Sequence, residues 1–84
     1  MTYQGSIQSR QRRDRLISII FYQGFTDYSQ LLELLSTESG YEYNPNILTF
    51  DLYKLLEEKK IRRVGEGFKL SDYSISEDGM IIFK

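Results

Sequence analysis

Apolar positions recur at helical spacing through the first two thirds of the chain, then switch to a two-residue alternation. Leu16, Ile17, Ile20 and Phe21 stand at i, i+1, i+4 and i+5, one stripe of an α-helix, and Ile19 widens it. The stripe predicts a first helix from Ser9 to Gln23, with Ser9 as its N-cap. Gly24 suits the left-handed position after a helix end, and Phe25 the hydrophobic contact that accompanies such a cap. Asp27-Tyr28-Ser29-Gln30 has the spacing of a capping box, a carboxylate cap with Gln three residues on. Leu31, Leu32, Leu34 and Leu35 then predict a short second helix over residues 28–38, ended by Ser39-Gly40. Asn44 as N-cap and Pro45 at the first helical position start a third, which runs to Lys59. Its stripe is Leu48, Leu52, Leu55 and Leu56, with Ile47 at the margin, and Lys59 and Lys60 complement the carbonyl end of the dipole.

Beyond Lys60 the period changes. Ile61-Arg62-Arg63-Val64 reads as a short strand, Gly65-Glu66-Gly67 as a turn or bulge, and Phe68-Lys69-Leu70 and Tyr73-Ser74-Ile75 as alternating segments. Glu77-Asp78-Gly79 is a hairpin turn signal. Met80-Ile81-Ile82-Phe83 is a closing strand that must pair or become an aggregation edge, and the strand centred on Tyr73 is its simplest partner. At 84 residues this is one domain of the α+β class, residues 9–84, preceded by a polar, non-periodic and flexible arm over residues 1–8.

The composition narrows the chemistry. The chain has no cysteine and no histidine, which excludes disulfides and thiolate metal sites and removes the commonest general base and metal ligand. It contains no calcium-loop pattern, no glycine-rich phosphate-binding motif and no G-x-S-x-G. Glu57 and Glu58 are neighbours on a helix, hence ~100° apart and not aimed at one substrate. The expectation is therefore a protein that is not an enzyme and carries no cofactor and no metal. There is no apolar leader and no run near the ~20 residues of a membrane span, so an intracellular, cytoplasmic protein without membrane contact is expected.

Net charge is only −1, but its distribution is uneven. Arg10, Arg12, Arg13 and Arg15 form one basic cluster, and Lys54, Lys59, Lys60, Arg62, Arg63 and Lys69 form another. Between Leu16 and Tyr53 there is no Lys or Arg, while Asp27, Glu33, Glu38, Glu42 and Asp51 lie there. If the two clusters meet in the fold, one face is positive despite the net sign. Ordinary solvated charge is the plain alternative.

The order of helix, helix, helix and strand pair, with the stretch Leu52-Tyr-Lys-Leu-Leu-Glu-Glu-Lys-Lys-Ile-Arg-Arg-Val64, resembles the winged helix-turn-helix family. The resemblance covers residues 10–84 as a pattern and Leu52 to Val64 in detail. Three departures stand out: Lys59-Lys60 where the family has glycine, a long loop over residues 39–46, and a long wing from Phe68 to Phe83. Such a variant suits a divergent viral or plasmid-type regulator.

The resemblance implies a three-helix winged helix-turn-helix with a C-terminal β-hairpin wing, acting as a DNA-binding transcriptional regulator and a dimer. The third helix would then read double-stranded DNA. Its outward residues are Asn46, Thr49, Phe50, Tyr53 and Lys54: Asn and Thr reach base edges, Tyr and Lys take phosphates. Alternation lets only one of Arg62 and Arg63 face a phosphate on a given side. Lys69 and the cluster Arg10, Arg12, Arg13 would add backbone contacts. The rival reading is a winged-helix module that binds a protein partner through Phe50 and Tyr53, an adaptor or inhibitor, favoured by seven tyrosines and the acidic middle. A third reading packs Phe50 and Tyr53 beneath the loop bearing Tyr41 and Tyr43.

Overall fold

The computed structural model describes residues 5–84, and the first four residues of the expected arm lie outside them. The elements follow in the order α1 (Gly5–Gln23), β1 (Thr26–Asp27), α2 (Tyr28–Ser39), α3 (Pro45–Glu57), β2 (Ile61–Val64), β3 (Gly67–Leu70), β4 (Tyr73–Ile75) and β5 (Ile81–Phe83). Three helices and small antiparallel sheets make this an α+β domain.

The helix boundaries follow the local chemistry. Asp27 accepts the Gln30 backbone N–H at 2.8 Å while the Gln30 side chain accepts from the Asp27 backbone, so the capping box is complete. Asn44 accepts from the Asn46 N–H at 2.9 Å and Pro45 opens α3. The start of α1 differs from expectation. Ser9 is not a cap: it lies buried within the helix and accepts a hydrogen bond from Arg12. No apolar stripe marks the first turns of α1, so their helicity could not be read from periodicity.

Lys59 ends α3 in the left-handed conformation, φ 62°. The Lys59 N–H reaches the Leu56 carbonyl and the Lys60 N–H the Leu55 carbonyl, both at 3.0 Å, the two bonds of a Schellman cap. A lysine thus occupies a position that glycine takes without steric cost.

The expected single wing from Phe68 to Phe83 is replaced by two hairpins. β2 and β3 pair directly, Ile61 with Leu70 and Val64 with Gly67, around the turn Gly65-Glu66. Gly65 supplies the positive φ, 61°, that a two-residue hairpin turn requires. β1, too short to be recognised from alternation, adds to the far edge of β3, Thr26 opposite Phe68, giving the sheet order β1-β3-β2. β4 and β5 form a separate pair, as expected, with Tyr73 opposite Phe83 and Ile75 opposite Ile81.

The core is Leu16 and Ile20 of α1, Leu31 of α2, Leu48, Leu52 and Leu55 of α3, and Ile61, Phe68 and Leu70 of the sheet. Full burial of each such side chain contributes on the order of 1.5–3 kcal/mol. One close approach constrains the sheet. A Cβ on Gly67 would lie 2.4 Å from the Phe25 ring and 2.7 Å from the Thr26 carbonyl, so the ring is seated against bare backbone.

Candidate nucleic-acid interface

α3 divides cleanly into two faces. Leu48, Asp51, Leu52 and Leu55 turn inward, at i, i+3, i+4 and i+7. Asn46, Thr49, Phe50, Tyr53 and Glu57 are exposed on the other side.

The inward face contains a carboxylate. Asp51 is fully buried and accepts two hydrogen bonds from Arg12, from Nε at 2.7 Å and Nη2 at 3.2 Å. Arg12 Nη2 also donates to the Ser9 hydroxyl at 3.2 Å. An isolated buried carboxylate is costly, and a bidentate guanidinium satisfies both its oxygens. Tyr43 stands beside this group, half-buried. Its phenol pKa is raised above the ordinary 10.0, first by burial and then by the Asp51 charge, with Arg12 opposing.

The four N-terminal arginines separate accordingly. Arg12 is directed to α3. Arg15 pairs with Glu38 at the surface. Arg10 and Arg13 line an open cleft of about 790 Å³ between α1 and the β4–β5 hairpin, with Asp14, Lys60 and Met80.

On the outward face, Asn46 is exposed. The Thr49 hydroxyl donates to the Pro45 carbonyl at 2.9 Å and lies 3.1 Å from the Tyr28 hydroxyl, which itself donates to Pro45 at 2.9 Å. Lys54 pairs with Glu57 at 3.4 Å. Tyr53 and Phe50 are 68% and 50% exposed, which corrects the reading that packed them beneath the residue 39–46 loop. Of that loop's tyrosines, Tyr43 packs instead against the core, and Tyr41 points to solvent. The loop's backbone is held to α2, where the Tyr43 N–H donates to the Ser36 hydroxyl at 2.9 Å.

The hairpin cations occupy opposite faces of β2–β3, as alternation requires. Arg63 lies opposite Phe68, with its guanidinium carbon 5.6 Å from the ring centroid. It shares a small pocket of about 100 Å³ with Tyr28, Thr49 and Tyr53, so it stands beside the outward face of α3. Arg62 lies directly opposite Lys69 on the other face. Neither of these two has a carboxylate within ion-pair distance among the described residues.

The structure therefore brings Thr49, Tyr53 and Arg63 together, with Asn46 and Lys54 on the same helix. It places Arg62 and Lys69 on another surface, and Arg10 and Arg13 on a third. Sequence reasoning missed Asp51 as a structural group. The signal was available: it sits inside the leucine stripe, where a carboxylate needs a cation. Comparison with protein-family models, with curated proteins and with solved structures returns no match for this chain.

Proposed function

We propose that this domain is a winged-helix module that binds double-stranded DNA as a transcriptional regulator, with α3 as its recognition helix. The observation that carries the reading is the arrangement around α3. That helix is locked to the core by one face, leaves the other open, and has the β2–β3 hairpin beside it. The order α1-β1-α2-α3-β2-β3 with a β1-β3-β2 sheet supports this reading, in which the tight Gly65-Glu66 turn is the wing. In this reading Asn46 reaches base edges, and Tyr53, Lys54 and Arg63 take phosphates. The Tyr28–Thr49–Pro45 bonds fix the first turn of α3 and hold its entry angle. Arg12 serves the same end from inside, since its bonds to Asp51 orient α3 against α1.

Titration of random duplex at rising salt tests this. Affinity should fall steeply as counterions displace the phosphate contacts, and absence of binding at low salt overturns the proposal. Arg63→Ala should weaken all sequences about equally, and Asn46→Ala should relax sequence preference.

A second reading rests on Phe50 and Tyr53. Two large exposed aromatic rings on one helix face suit a protein partner. If Phe50→Ala abolishes capture of a partner while Arg63→Ala has no effect, the domain is an adaptor instead.

A further inference from the structure

The face of the β1-β3-β2 sheet turned away from α3 carries Arg62 and Lys69 as a directly opposed cross-strand pair. Like charges in that position repel and weaken the hairpin, and among the described residues no carboxylate stands within ion-pair distance of either. Fold stability does not account for the pair.

The two cations open onto a concavity of about 660 Å³, which Lys84 also lines. Its size falls within the range of ligand sites. Asp72 is in the wall as well, with its backbone carbonyl accepting the Lys84 N–H at 3.1 Å. Two aromatic rings complete the concavity. The Phe25 ring is held from behind by the bare backbone of Gly67, yet the residue remains 45% exposed. Tyr73 stands edge-on against Phe21 at 5.7 Å between centroids and is 38% exposed. A ring fixed on one side and open on the other is a stacking surface, and cations beside it neutralise a phosphate.

We propose that this concavity binds a nucleotide, with its phosphate between Arg62 and Lys69 and its base on the Phe25 or Tyr73 ring. The cations alone would accept any phosphate; the rings are what select a planar base. The site goes beyond the duplex reading, because it lies on the opposite side of the hairpin from Arg63 and α3. The nucleotide is either free or one unit of a single strand.

Backbone amide shifts of the full chain, followed by NMR, test the proposal with three probes: adenosine monophosphate, an oligothymidylate and inorganic phosphate. Adenosine monophosphate or the oligothymidylate should move the resonances of Phe25, Lys69 and Tyr73. A response to the oligothymidylate alone assigns a strand, and a response to the monophosphate alone assigns a free nucleotide. Lys69→Gln removes an exposed, unpaired charge and leaves the core intact; it should weaken binding about tenfold. Phe25→Leu and Tyr73→Leu, made separately so that one folded variant suffices, should reveal a loss of roughly 5- to 150-fold for the ring that stacks. No response to either nucleotide probe overturns the proposal. So does inorganic phosphate acting as strongly as the nucleotides in protein whose ring variants bind unchanged. Duplex DNA added to the same sample reports through Asn46 and Tyr53, so failure of the duplex reading is seen separately.

Discussion

On α1, Arg12 reaches the buried Asp51 and Arg15 reaches Glu38, so two of the four N-terminal arginines are answered by carboxylates of the same chain. On β2 and β3, Arg62 and Lys69 face each other without a carboxylate partner among the described residues, and Arg63 rests on a ring. The two basic clusters look equivalent along the chain, and in the second Lys54 and Lys60 are likewise answered, by Glu57 and Glu58. The hairpin cations differ because a helix can turn one arginine toward a neighbouring helix, whereas a hairpin places alternate residues on opposite faces. Charge density in a sequence therefore says little about which cations are available to a partner. The location of the matching carboxylates decides it.

The largest test of this contrast is Asp51→Ala. It strands a part-buried guanidinium, and unfolding in urea should show a loss of about 3 kcal/mol, near the lower end for a broken buried pair because Arg12 keeps 31% of its side chain exposed. Arg15→Ala, which breaks an exposed pair, should cost about 0.5 kcal/mol or less in the same measurement. Equal losses would erase the distinction.

Lys59→Gly should stabilise the domain by about 1 kcal/mol, since it relieves the left-handed conformation at φ 62°. If the same variant loses nucleic-acid affinity, the strain is retained for the charge. Lys69→Glu should convert a repelling pair into an attracting one with Arg62 and raise the unfolding midpoint by a few tenths of a kcal/mol in equivalent free energy, less at high salt.

The subtlest test is pH. Burial and the Asp51 charge raise the Tyr43 pKa above 10.0, so the folded state holds that proton more tightly than the unfolded chain. Its contribution is fully present below pH 10.0 and is lost as pH rises through the higher folded value. Phenolate absorbance should show one tyrosine, Tyr43, ionising above pH 10.0, and Asp51→Asn should lower its pKa.

Capping chemistry and leucine spacing made α2 and α3 legible in the sequence, because Asp27-Gln30 and Asn44-Pro45 act over a single turn. The β4–β5 pairing was legible for the same reason: alternation and an Asp-Gly turn are local signals. β1 was not legible. Thr26 and Asp27 become a strand only by pairing with Phe68 and Gly67 across the fold. The direct β2–β3 pairing was not legible either, because Gly65-Glu66-Gly67 fits a turn or a bulge equally well until Val64 is seen opposite Gly67. Among site residues, the outward set of α3 followed from the helical period. The commitment of Arg12 to Asp51 did not, since it joins residues 39 positions apart.

The second hairpin has a dynamic consequence. Hydrogen bonding of the main sheet ends at the Ser71 N–H, which donates to the Lys60 carbonyl at 3.0 Å, and β4 and β5 pair only with each other. They rest on the domain through Tyr73 against Phe21 and through Ile81 and Phe83, while the Lys84–Asp72 backbone bond closes their own base. Such a unit opens at lower free energy than the core beneath it. The amides of Ser74 and Ile82 should exchange with solvent earlier than those of Arg62 and Lys69, which pair with each other in the main sheet. Tyr73 and Lys84 thus line the concavity from the hairpin, opposite Phe25, Arg62 and Lys69 of the main sheet and its flank, so the two walls of the concavity belong to units of different local stability.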